Sequence, residues 1–307
     1  MCIRWRPCGT CVTRRGRRNP LFASVLALTA LSACATVVPR MTYREVDSAA
    51  MGEPMALAVY TPPGFTHDEH LPLFLFLHGG GDDVHCLEQE GITAWLDGEI
   101  ASGRVPRVVV VVPQGDRGFW ANWADGTRRY ADWVLNEAVP AAAALWGTQP
   151  CPEGCHLIGI SMGANGGLRM VLAHPGAFRS AALLSGPLLD AAGMRALADG
   201  WALRTFARLD RVFGSTSDET RLRAADPFQL WRSPDDLAGL RLYFAHGDDD
   251  RSGIADTNVA LHRHLEARGI PHTYRVFHGG HRWRDWQPLF GEAIREGLAT
   301  TSPPAPP

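Results

Sequence analysis

Six short stretches of the chain are apolar at nearly every position: residues 73–77, 108–112, 156–160, 181–185, 240–245 and 273–277. Runs this short, apolar at consecutive positions and bounded by glycine or proline, predict strands covered on both faces. Between them lie longer segments with helical spacing of apolar residues, at 127–146, 162–174, 257–268 and 283–298. Strand and helix in alternation predict an α/β fold with a mostly parallel central sheet and helices on both faces. The rhythm breaks over 187–236, which is rich in Arg, Asp and aromatic residues. This segment is expected to form a small insertion or lid over one end of the sheet. No internal repeat and no long linker divides the chain, so residues 55–300 are read as one domain, followed by a proline-rich, disordered tail at 301–307.

The N-terminus departs from this pattern. Arg14, Arg15, Arg17 and Arg18 form a cationic block, and residues 21–33 follow as an uncharged apolar run. A spanning helix needs about 20 residues, so the run predicts a cleaved export signal over residues 1–33. It ends in Leu31-Ser32-Ala33-Cys34, the layout of a bacterial lipobox, which makes Cys34 a candidate for lipidation and residues 34–54 a tether. Ala35 in place of an aspartate points to the periplasmic face of the outer membrane. In an oxidising compartment Cys151 and Cys155, separated by a turn-forming Pro-Glu-Gly, are expected to pair, leaving Cys86 as a buried free thiol. No further ligands at zinc spacing accompany the pair, so no metal is expected.

Composition changes little. The 307 residues are 46% hydrophobic, the net charge is −2, and all 30 basic residues are arginine. Near-neutrality removes any electrostatic case for nucleic-acid binding.

The candidate chemistry sits just after the predicted strands, where open parallel sheets bind their ligands. Gly159-Ile160-Ser161-Met162-Gly163 fits the strand–turn–helix pattern that exposes a nucleophilic serine, with small residues where the turn is tightest. His78-Gly79-Gly80-Gly81 follows the strand at 73–77. Backbone N–H groups of Gly80 or Gly81, with that of Met162, are the candidate oxyanion donors. Chain order then calls for an acid and a histidine. Asp248, Asp249 and Asp250 follow the strand at 240–245; spacing from Gly247 favours Asp250, with Asp249 second. His281, beyond a glycine pair and before the last helix, is the candidate base, and His278 is read as structural. Trp120, Trp123 and Trp283 are candidate stacking surfaces for a sugar or aromatic acid. Chemistry of this kind needs no cofactor.

Four stretches together resemble a known family of α/β hydrolases: His78 to Gly81, Gly159 to Gly163 with Gly166-Gly167, the His246-Gly247 to Asp250 segment with Asn258, and Gly280-His281-Arg282-Trp283 with Trp286. The aromatic stretch Phe119-Trp120-Ala121-Asn122-Trp123 with Tyr130 adds to it. The family holds enterochelin, feruloyl and acetyl-xylan esterases, S-formylglutathione hydrolases and the mycolyltransferases of the antigen 85 group. The resemblance implies an α/β-hydrolase fold and hydrolysis of carboxylic esters through an acyl-enzyme. Export directs the expectation to carbohydrate-linked acyl or feruloyl esters, or to siderophore esters, as small-molecule or polysaccharide-linked substrates. Acyl transfer by the same triad, and a lipid-anchored binding protein that has lost activity, are the alternatives. Residues 187–236 match no member closely, and oligomeric state is not legible.

Overall fold

The computed structural model describes residues 40–299, apart from 200–208, 216–217 and 252. Residues 1–33, expected to be an export signal, Cys34 and the expected tail at 301–307 lie outside the described residues. Eight strands form one sheet in the order β1-β2-β4-β3-β5-β6-β7-β8. The strands are β1 (Met41–Ser48), β2 (Glu53–Tyr60), β3 (Leu73–Leu77), β4 (Val109–Pro113), β5 (Cys155–Ile160), β6 (Ser180–Leu184), β7 (Arg241–Asp249) and β8 (Thr273–Gly280). β1 and β2 pair antiparallel, β2 joins β4 antiparallel, and the remaining ladders are parallel.

The apolar runs become strands because each side of the sheet has its own core. Leu73, Leu75 and Leu77 face one layer with Val109, Val111, Leu157, Leu183 and Phe244. Phe74 and Phe76 face the other with Val110, Val112, Ile158, Ile160 and Leu184. Strict alternation of direction along a strand therefore needs apolar residues at both phases. The helices that cover the sheet are α1 (Ile92–Ala101), α2 (Val139–Trp146), α3 (Met162–Ala173), α4 (Ala191–Asp199), α5 (Ile254–Glu266) and α6 (Trp283–Leu298). α2 is preceded by a π-helical stretch, Trp133–Ala138. On α3, Gly166 and Gly167 let Trp120, Leu157 and Leu183 approach the helix closely; a Cβ at either glycine would overlap them.

One expectation changes. The segment read as a tether to residue 54 carries β1 and the start of β2. β1 is an edge strand in which only Met41 and Ser48 are buried, so its sequence shows no apolar run. The 187–236 insertion lies between β6 and β7 and is helical where described, with short turns of helix at Leu209–Phe213, Glu219–Arg223 and Pro227–Leu230 in addition to α4. It is tied to the segment before α2: Asp125 pairs with Arg211, and Phe119 meets Phe213 edge to face at 5.5 Å. The Cys151 and Cys155 sulfurs are joined, with Cα atoms 5.0 Å apart, and Cys86 is buried and free. Burial pushes the Cys86 thiol up, which keeps it protonated.

Candidate active site

Ser161 occupies the turn between β5 and α3 with φ 52° and ψ −116°, a conformation that L-residues rarely hold and that marks functional sites. The glycines around it are required by space. A Cβ on Gly163 would strike the Leu77 and His78 carbonyls, and one on Gly159 would strike the backbone at Gly163. Carbonyls of Ser161 and Leu184 complete the turn: Ser161 N–H donates to Leu184 O at 2.9 Å, and Ala164 N–H donates to Ser161 O at 3.1 Å.

His281, after β8, places its Nε2 2.8 Å from Ser161 Oγ, and its Nδ1 lies 2.9 Å from Asp250 Oδ1. The Asp250 side chain is 0% exposed and that of His281 9%, so water does not screen this pair. Burial raises the Asp250 carboxyl, but hydrogen bonds from His281, the Ser185 side chain and the backbone of Arg251 and Gly247 outweigh it and hold the group below the usual carboxylate range. An ionised acceptor at Nδ1 fixes the tautomer with the free lone pair of Nε2 toward Ser161.

The glycine loop passes beside the nucleophile. A Cβ built on Gly79 would lie 3.6 Å from Ser161 Cβ, and one on Gly80 would lie 3.7 Å from Met162 Sδ. Gly80 and Met162, the two predicted donor positions, are thus neighbours; Gly81 faces open space. His78 anchors the loop from inside the core. Its Nδ1–H donates to Gly79 O at 2.8 Å, its Nε2 accepts the Gly115 N–H at 3.1 Å, and its carbonyl accepts the Trp120 indole N–H at 3.2 Å. Burial lowers its pKa, which keeps the ring neutral and this donor–acceptor pattern intact. Asp82 accepts the Gly79 N–H at 3.1 Å, and Arg117 Nε–H donates to Gly80 O at 3.2 Å.

The other aspartates and histidines of the two loops stand apart. Asp248 pairs with His278, whose side chain is 99% exposed, and Asp249 ends β7 as an exposed residue. Trp120 corrects an expectation: it is 1% exposed and wedged against Gly115 and Gly166, so it is core and offers no face to a substrate. Trp123 is half-buried with the Arg211 guanidinium 5.0 Å over its ring. Trp283 is half-buried, packs on Phe76 and Trp286, and donates to Asp82 at 3.4 Å.

Two residues to which the sequence reading gave no role at the site touch it. Ser185, fully buried at the end of β6 with φ 49°, accepts the Trp286 indole N–H at 2.8 Å. Trp286 meets the His281 ring edge to face at 4.8 Å. The signal available in the sequence was the serine closing an apolar strand ahead of Gly186-Pro187.

The fold agrees with what the chain resembles. It is 26% identical over 270 residues to Esterase Rv1288 of Mycobacterium tuberculosis, covering 80% of this chain and 56% of that protein. The chain therefore spans about half the length of that relative. Among solved structures, FphF, a fluorophosphonate-binding serine hydrolase of Staphylococcus aureus, superposes with a TM-score of 0.69 at 20% identity, covering 84% of this chain and 98% of that one. A ferulic acid esterase superposes with a TM-score of 0.65 at 18% identity, covering 83% and 95%. The family model described as "Putative esterase" matches residues 48–296, nearly all of the described domain and every residue of the Ser161, His281 and Asp250 cluster, and the chain belongs to that esterase family of the α/β-hydrolase fold.

Proposed function

We propose that the protein is a serine esterase that hydrolyses carboxylic esters through an acyl-enzyme on Ser161. The observation that carries this reading is the unbroken line from Ser161 Oγ to His281 Nε2 at 2.8 Å and from His281 Nδ1 to Asp250 at 2.9 Å, at the apex of a strained turn. In the first half-reaction His281 Nε2 takes the Ser161 proton as Oγ attacks the ester carbonyl, and the tetrahedral oxyanion is held by N–H groups of Met162 and of Gly80, or Gly81 in its place. The intermediate collapses as His281 returns that proton to the departing alcohol. Water then repeats the sequence, releasing the acid and restoring Ser161. Asp250 stabilises the imidazolium formed at each step without itself being protonated.

Carbohydrate-linked acyl or feruloyl esters and siderophore esters are the proposed substrates. The partly exposed Trp123 and Trp283, and the fold shared with a ferulic acid esterase, support that class. Export with a lipid on Cys34 is the proposed localisation, supported by the Leu31–Cys34 pattern and by the joined Cys151 and Cys155, which suit an oxidising compartment. The test is turnover of p-nitrophenyl esters, methyl ferulate, acetylated xylan and enterobactin by wild type and Ser161→Ala. Turnover of at least one ester that vanishes in Ser161→Ala is the expected result; equal turnover by both proteins overturns the reading.

A further inference from the structure

The glycine loop is a β-turn whose two ends are pinned. Asp82 N–H donates to Gly79 O at 3.3 Å, so the turn runs from Gly79 to Asp82 with Gly80 and Gly81 at its centre. Asp82 Oδ2 also accepts the Gly79 N–H at 3.1 Å, and the buried His78 ring donates to Gly79 O at 2.8 Å. Trp283, two residues beyond His281, donates to Asp82 Oδ1 at 3.4 Å. The Gly79 N–H is therefore engaged inside the turn, while those of Gly80 and Gly81 have no acceptor among the described residues.

The centre of the turn has a single hold. In a trans peptide the C=O and N–H point opposite ways, so the direction of the Gly80 carbonyl sets that of the Gly81 N–H. Type I and type II turns differ by turning this central peptide over, and type II requires a positive φ at the third residue. Here that residue is Gly81, which has no Cβ to forbid it. Neither Gly80 nor Gly81 has a left-handed φ, so the turn is not of type II. Among the described residues the group that holds Gly80 O is Arg117, whose Nε–H donates to it at 3.2 Å. Arg117 is itself well placed. In its loop after β4 the Gly118 N–H donates to Gly115 O at 3.0 Å, and the Gly115 N–H donates to His78 Nε2 at 3.1 Å, which joins this loop to the glycine turn. The adjacent Asp116 carboxylate is engaged elsewhere, accepting from Gln114 Nε2 and from the Tyr130 hydroxyl, each at 2.7 Å.

We propose that Arg117 is a positioning residue of the hydrolytic site, which locks the central peptide of the Gly79–Asp82 turn so that the Gly81 N–H, and not the Gly80 carbonyl, lies on the oxyanion side. The proposal rests on the reading of Ser161 as the nucleophile given above. Turned over, the same peptide sets a carbonyl oxygen where the oxyanion forms, and a preorganised donor becomes a repelling dipole. The loss falls on the transition state, because the ester carbonyl of the ground state carries little charge. A Cβ on Gly81 would meet nothing within 4 Å, so alanine fits the observed turn and disfavours the type II one.

The experiment is a double-mutant cycle on a p-nitrophenyl ester: wild type, Arg117→Met, Gly81→Ala and the double variant, with thermal melting to establish that each is folded. Arg117→Met keeps an apolar stem at the exposed position and removes the donor. It is expected to lower kcat about tenfold, the worth of a hydrogen bond from a charged group, and to leave KM unchanged. Affinity for a boronic acid, which forms a tetrahedral adduct on the serine, is expected to fall by about the same factor. In the Gly81→Ala background the same substitution is expected to cost less than about twofold, because the turned-over peptide is no longer accessible. An equal loss in both backgrounds assigns Arg117 a charge effect or a structural one and overturns the proposal, as does wild-type kcat in Arg117→Met. If Gly81→Ala folds poorly, the inhibitor decides alone: a fall in kcat with unchanged boronic acid affinity overturns the proposal. Ser161→Ala run alongside separates the two readings. If it is inactive while Arg117→Met shows no loss, the nucleophile stands and the role of Arg117 falls; if it is active, the esterase reading itself falls.

Discussion

Replacing Asp250 by Asn tests the geometry at its most constrained point, because a carboxylate has two acceptors and an amide has one. At Asp250 the Oδ1 position receives His281 Nδ1–H and Arg251 N–H, and the Oδ2 position receives Gly247 N–H. An asparagine with its oxygen toward His281 sets its own NH2 against the Gly247 N–H in a site with no solvent access. Turned the other way, it sets NH2 against the Arg251 N–H and against His281 Nδ1. The ring then accepts at Nδ1 and carries its proton on Nε2, facing Ser161 Oγ, where it cannot take the serine proton. In both orientations the negative charge that stabilises the imidazolium is gone. The expected loss in kcat is on the order of 10⁴-fold, the scale set by the same change in other serine triads, or about 5.5 kcal/mol of barrier. The assay is kcat on a p-nitrophenyl ester, with thermal melting to establish that the variant is folded. Asp249→Asn and Asp248→Asn are the controls, because Asp249 is exposed and Asp248 pairs with the solvent-facing His278. A folded Asp250→Asn within tenfold of wild type, or an Asp249→Asn that loses thousands-fold, refutes the reasoning.

Other expectations are as specific. His156 is 2% exposed and stacks on Phe74 at 4.6 Å; burial, with Arg241 and Arg179 nearby, pushes it down from 6.5 to about 4. Between those values the unfolded chain binds a proton that the folded chain does not, so stability is full above pH 6.5 and falls by about 3 kcal/mol by pH 4; urea melts of His156→Gln should show that much less loss over the window, and identical profiles would contradict it. Gly163→Ala should yield little folded protein, because its methyl group meets backbone carbonyls that cannot move aside; a soluble variant with wild-type melting would count against the turn as described. Thiol titration of denatured protein lacking residues 1–39 should find one thiol, Cys86, and three would show that Cys151 and Cys155 are unjoined. Cys34→Ser should abolish palmitate labelling in a Gram-negative host; an unlabelled wild type would remove the lipid anchor and leave the esterase reading untouched.

The central strands were legible because both faces of β3 to β6 are buried, which forces apolar residues at every position of runs such as Leu73–Leu77. β1 was not, because an edge strand facing solvent along most of its length needs no such run; Tyr43, Arg44 and Glu45 look like tether. The positions of Ser161, Asp250 and His281 could be read from glycine spacing and chain order, since each follows a strand end in a fixed sequence. Ser185 and Trp286 could not, because they lie 101 residues apart and meet only when β6 and α6 pack. The Trp120 side chain misled for a related reason: an aromatic is a candidate stacking surface until the glycines that make room for it, Gly115 and Gly166, are seen from the same side.

The most direct test of the account is to identify the residue that becomes covalently modified. Treated with a fluorophosphonate, the protein should gain one phosphonyl group, mapped by peptide mass spectrometry to Ser161, with ester turnover lost in proportion and no modification of Ser161→Ala. Modification at another residue, or full turnover by protein whose Ser161 is blocked, would contradict it.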